Sequence, residues 1–163
     1  MDFLNKIFGI PPKKCATNGK PATFNDPVKM TGKLTIELNG VVVREIDNLV
    51  VTVGKNFVAS RMVGVASGVM SHMAIGTTNT AAAIGDTTLA AEAARVALTS
   101  GTASAAVATY VATFPAGTGT GAIVEAGILN AASAGTLLCR TVFSVVNKGA
   151  SDAMTITWTV TVS

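Results

Sequence analysis

The sequence predicts a mainly β protein: an antiparallel β-sandwich or jelly roll with one short helix and an extended N-terminal arm. Three observations predict it. The chain has 26 Ala, 22 Thr, 20 Val and 16 Gly, so about half of its 163 residues are of four small types. Small, β-branched and turn-forming residues favour strands joined by tight turns over a helical bundle, which is built from Leu, Glu and Lys. The C-terminal half alternates β-forming runs with Gly-, Asn- and Ser-rich breaks. Four of the five prolines fall within the first 27 residues, which sets that stretch apart from the rest.

The elements follow in order. Residues 1–30 read as the arm and residues 31–163 as the body. Leu34, Ile36 and Leu38 alternate with Lys33, Thr35 and Glu37, then Asn39-Gly40 leads into Val41–Ile46. Asn-Gly tolerates the positive φ angles of a type I′ turn, so this is a hairpin. Asp47-Asn48 is expected to make a second turn into a strand at 49–53. Phe57, Val58, Arg61, Met62 and Val65 have helical spacing, with Asn56 as the expected N-cap. A strand at 69–76 and a polar loop at 77–86 come next. LAAEAARVAL at 89–98 fits either a helical turn or a strand entry. Further strands are expected at 103–114, 122–129, 136–146 and 153–162. In the last, Thr155, Thr157, Thr159 and Thr161 face one way, and Met154, Ile156, Trp158, Val160 and Val162 the other. That is a half-buried strand.

Charge separates arm from body. Residues 1–33 hold six lysines against Asp2 and Asp26, a balance of +4, while the remainder balances at −1. The arm has too few cations, and no Arg, for direct nucleic-acid binding. No window is long and apolar enough to suggest a membrane span, and MDFLNKIFGI has an acid at position 2 and no signal-peptide pattern. Cys15 and Cys139 are too few for a disulfide framework or a zinc site, and Cys139 lies in an apolar run that suits an inert thiol.

Chemistry is sparse. GTGTG at 117–121 lacks the G-x-G-x-x-G spacing of a phosphate loop and is expected to be a hairpin loop. His72 is a lone histidine in a strand and reads as structural. Trp158 and Tyr110 are the only candidates for a sugar platform, and Trp158 shares a face with Met154 and Ile156. Glu92 with Arg95, and Glu125 with Arg140, are charges in apolar surroundings, so they read as structural ion pairs. No catalytic residue, cofactor or metal is expected, and the chain is expected not to be an enzyme.

The arm carries the functional argument. Phe3, Leu4, Ile7, Phe8 and Ile10 make one apolar stripe if their segment is helical. Burial of the arm's own large apolar side chains, Phe24 among them, returns too little to order about thirty residues, so the arm is expected to gain contacts from another chain. Phe3, Leu4, Ile7, Phe8, Ile10, Lys13, Lys14 and Phe24 are therefore the expected partner-binding residues, clipping onto neighbouring subunits.

The runs LVVTVGKNFVASR at 49–61, MAIGTT at 73–78, Leu89 with Glu92 and Arg95, GAIVEAGIL at 121–129 and LLCRT at 137–141 resemble segments of small structural proteins of tailed bacteriophages. The pattern is also similar to the virion-attached domain of tail-collar fibre proteins. The resemblance implies a virion protein at the particle surface, made in the bacterial host cytoplasm, with the major capsid protein or other virion subunits as partners. It also fits a homo-oligomer, dimer or trimer. The sequence ends after its last strand with no shaft or tip, which is expected of a capsid cement or decoration protein. A tail fibre or collar adaptor is the alternative, and a carbohydrate-binding module a more distant one.

Overall fold

The computed structural model describes residues 27–65 and 68–163. The partner-binding residues expected at positions 3–24 lie outside the described residues. The body is mainly β with one helix, as expected. Its strands are β1 (Met30–Leu38), β2 (Val41–Val50), β3 (His72–Gly76), β4 (Glu92–Ala97), β5 (Ser100–Ser104), β6 (Val107–Phe114), β7 (Gly121–Leu129), β8 (Leu137–Lys148) and β9 (Met154–Val162). The helix α1 (Thr52–Met62) follows β2.

Every strand pairing is antiparallel, and the hydrogen-bonded order is β4-β3-β7-β8-β2-β1-β9-β6-β5. This is one continuous nine-stranded sheet that curls on itself. The expectation of a mainly β, antiparallel body is met at that level: β2 pairs with both β1 and β8 and joins the two halves of the curled sheet. The β2–β8 ladder is short, with only Leu49↔Arg140 and Val50↔Cys139 in register. Beyond it the strands are held by side chains: Arg44 donates to the carbonyls of Ser144 and Val145, and the Thr141 hydroxyl donates to the Asp47 carbonyl. At the far edges, Leu98 and Thr99 carry the chain from β4 to β5. The Leu98 amide bonds to Ser71 and the Thr99 amide to Val111, so two residues span the seam.

The curl brings two apolar faces together. Leu34, Ile36, Phe114, Ile156 and Trp158 from one half pack into the same core as Met73, Ile75, Ile123, Ile128 and Cys139 from the other. The alternation expected for β9 holds for Met154, Ile156, Trp158 and Val160, which are buried; Val162 at its end is exposed. A second small cluster, Val51, Ala74, Leu89, Leu129 and Leu137, covers the outer side of the β3–β7–β8 half. Strands β7 and β8 are thus buried on both faces over part of their length. That explains their near-continuous apolar runs.

The Asn39-Gly40 hairpin forms as expected, with φ of 51° and 80° at the two turn residues. Four other expectations are corrected. There is no turn at Asp47-Asn48: β2 runs through both, because Asp47 faces Lys33 and Asn48 faces Gly32 in register. The helix begins earlier than Asn56, with Val51 as N-cap. It can do so because Gly54 sits against β8, where any Cβ would fall on the Leu138 carbonyl. The strand expected at 103–114 is a hairpin, β5 and β6, turning at Ala105 with a φ of 49°. The 117–121 segment is not a hairpin loop, since β6 and β7 lie in different halves of the sheet. It crosses between them, fixed by the Gly117 amide on the Ala150 carbonyl.

Candidate functional site

The most exposed large apolar side chains among the described residues are Val28, beside the arm, and Met62, Val63 and Val65 at and just beyond the end of α1. Helix α1 lays Gly54 on β8 and leaves its C-terminal end uncovered. Met62 is 82% exposed, Val63 74% and Val65 76%, and Val28, which lines one groove with Met62, is 76% exposed. Val28 and Met30 form one wall of a groove of about 500 Å³, and Val58, Ala59 and Met62 form the other. Lys29 and Lys55 stand at its rim. Val58 and Met30 also touch the core, so the groove floor is anchored. The groove offers apolar contact bordered by positive charge. Among the described residues its lining has no acid, His or Cys.

On another side of α1 lies an open cleft formed by Val53, Asn56, Phe57, Ser60, Val65, Asn130 and Thr136. No ionisable group lines it among the described residues. His72 lies at the start of β3, with Nδ1 2.8 Å from the Ser71 hydroxyl. Trp158 is fully buried and Tyr110 half-buried, so Trp158 is a core residue and presents no face to a sugar. The Cys139 thiol is buried, and burial pushes its pKa up to about 12 against a small opposing effect of Asn48. It is an inert thiol at neutral pH. Among the described residues no three His, Cys, Asp or Glu cluster to hold a metal, and no helix is long and apolar enough to cross a membrane.

Both expected ion pairs form. Glu92 and Arg95 meet in a two-pronged contact of 2.6 and 2.8 Å, and Arg95 also donates to the carbonyls of Ala131 and Ala134. Glu125 and Arg140 are both fully buried. Arg140 uses all five of its N–H groups. Nε and Nη2 donate to Glu125 Oε2 at 2.9 and 2.7 Å, and Nη1 donates to Asp86 Oδ2 at 2.7 Å. The remaining two reach the carbonyls of Thr80 and Ala81. Glu125 in turn accepts the amides of Ala90 and Ala91. The loop from Thr77 to Ala91 is thereby wrapped around one buried ion pair. Burial acts to raise the Asp86 pKa, but the Ala83 amide and the Arg140 guanidinium outweigh it and hold the carboxyl below its ordinary value.

Two participants were not visible in the sequence. Asp86 sits in a stretch that reads as plain loop, and nothing local marks it as a partner of Arg140. Lys148 is fully buried and donates from Nζ to the carbonyls of Pro115 and Asp152, tying the crossing segment to the β8–β9 turn. Asn147-Lys148-Gly149 reads as a solvated turn, so its burial carried no signal.

No family model, curated protein or solved structure matches this chain. Its function is therefore argued from its own residues.

Proposed function

We propose that this chain is a non-enzymatic structural protein of a phage particle, a capsid cement or decoration protein. In this reading its β body rests on the shell and its N-terminal arm bridges neighbouring capsid subunits. The observation that carries the reading is the apolar ledge of Val28, Met30 and Met62, with Lys29 and Lys55 at its rim, at the foot of a basic, proline-rich arm. Contiguous exposed apolar side chains bordered by charge mark a protein-contact surface. An arm and a ledge give two contacts per copy, and repeated copies on a lattice turn two weak contacts into firm attachment. The tightly bonded body suits a protein that carries load without moving: a buried ion pair organises its longest loop, and its seam is crossed by two residues.

The test compares particles assembled with and without this chain. Particles lacking it are expected to release their DNA at a lower temperature, and adding the purified protein back is expected to restore resistance. Equal heat resistance in the two preparations would overturn the cement reading.

A further inference from the structure

We propose that Asn39 is a site of spontaneous covalent modification, losing its side-chain nitrogen as ammonia under attack by the Gly40 backbone, and that the clamp between this side chain and the β8–β9 turn gates the reaction. Nothing in this site depends on the capsid reading.

The reacting groups are neighbours in the chain. Asn39 and Gly40 form the turn between the paired Leu38 and Val41, and both are exposed. Gly40 has no side chain to shield its amide, and a Cβ placed there would meet nothing within 4 Å. The reaction consumes only water. The Gly40 amide gives its proton to solvent, and its nitrogen attacks Asn39 Cγ. The N–Cγ bond forms, the Cγ–Nδ2 bond breaks, and Nδ2 leaves as ammonia after taking a proton from solvent. The product is a cyclic imide. Water opens it at one carbonyl or the other, leaving aspartate at position 39 or isoaspartate, whose backbone runs through the side chain. No oxidant or reductant takes part.

In the folded chain the carboxamide is held at both ends. Asn39 Nδ2 donates to Asp152 Oδ1 at 2.8 Å, and the Ala153 amide donates to Asn39 Oδ1 at 3.0 Å. The Asn39 amide adds a third bond, to the Ala153 carbonyl at 2.9 Å. Attack turns the planar carboxamide into a tetrahedral centre and draws Cγ to bonding distance of the Gly40 nitrogen. The two side-chain bonds cannot keep their geometry through that movement, so the clamp must open before the ring closes.

The reaction also destroys the clamp. Aspartate at position 39 sets a second carboxylate against Asp152, where like charges repel. The Asn39 donor is the largest cause holding the Asp152 carboxyl below its ordinary pKa, and modification removes it. Isoaspartate instead lengthens the turn by one backbone atom. The effect reaches past the turn. Asp152 Oδ2 accepts the Gly149 amide at 2.7 Å, and the Asp152 carbonyl accepts the buried Lys148 ammonium at 2.7 Å.

The test uses the full-length chain carrying Asn18→Gln, which removes the other Asn-Gly pair. After incubation in mildly alkaline buffer, the tryptic peptide 34–44, in which Asn39 is the only asparagine, is assayed for the mass change of NH2 replaced by OH. The native chain is expected to convert at least about tenfold more slowly than the same chain in denaturant, and than an Asp152→Ala chain shown to be folded by its Trp158 fluorescence, because its side-chain bonds must open first. Equal rates in either comparison would overturn the gate, and no conversion in denaturant would overturn the site. The converted protein, separated by its extra negative charge, is expected to melt below the unconverted one; an equal Tm would overturn the coupling to the β8–β9 turn. Asn39→Asp gives a second readout. It should lower Tm, and lower it less in an Asp152→Ala background, whereas the same loss in both would overturn the repulsion between the two carboxylates.

Discussion

Removing Glu125 or Arg140 tests whether the buried ion pair organises the body. Both side chains are fully buried, and together they hold Thr80, Ala81, Asp86, Ala90 and Ala91. Breaking a buried pair by deleting one partner costs about 3–5 kcal/mol, because the other charge is left in the interior. The two single variants are not equivalent. Glu125→Gln leaves Arg140 still facing Asp86 at 2.7 Å, so its cost falls near the lower figure. Arg140→Met leaves Glu125 buried with no cation, so its cost falls near the upper one. In a domain of this length each kcal/mol moves Tm by about 2–4 °C, which gives a loss of about 6–20 °C across the two. Trp158 is the only tryptophan and is fully buried, so its fluorescence reports unfolding directly. The double variant Glu125→Leu with Arg140→Met is expected to cost at least about 1 kcal/mol less than the sum of the singles, since no lone charge remains. Strict additivity, or a Glu125→Gln protein melting within about 2 °C of wild type, would refute the reasoning.

Three further predictions follow from the geometry. Gly54→Ala drives a methyl group into the Leu138 carbonyl and should lower stability by about 1–3 kcal/mol in denaturant titration; a neutral result would mean α1 is not seated on β8 as described. Asp86 is held below its ordinary pKa of 3.8, so its contribution is complete above that value and disappears as pH falls through the lowered folded value. The Tm gap between wild type and Asp86→Asn should accordingly be full at pH 6 and shrink towards pH 2, and a gap independent of pH would contradict the assignment. In a Cys15→Ser protein, Cys139 should resist a thiol reagent at pH 8 until denaturant is added, whereas rapid reaction in the native state would show that the core opens there.

Local chemistry was legible in the sequence; pairing across the fold was not. Asn39-Gly40 announced its hairpin because few other dipeptides accept two positive φ angles. The alternation of β9 announced its buried face because half of it is hydroxylated. Asp47-Asn48 misled for the same local reason: the pair favours turns, yet the extended β2 is fixed by partners sixteen and fourteen positions away, Gly32 for Asn48 and Lys33 for Asp47. The absent side chain of Gly32 is what makes room for Asn48, and a glycine inside a strand was the one available clue. The Ala105 turn had no clue, since alanine rarely takes a positive φ. Glu125 and Arg140 could be paired from the sequence because both interrupt apolar runs that proved to be adjacent strands. Asp86 could not, because the loop that presents it is shaped by the very ion pair it joins. The groove beside α1 was hidden for a similar reason. Its helical wall, Val58, Ala59 and Met62, lies in the expected helix, but nothing local in the sequence sets that helix beside the start of β1.

Coating of the shell of a phage particle is the proposed role of this chain. Immunogold labelling of intact particles with an antibody raised to residues 31–163 tests it most directly. Gold distributed over the whole head, in many copies per particle, is the expected result. Gold confined to one vertex or to the tail, or particles that bind none, would contradict it.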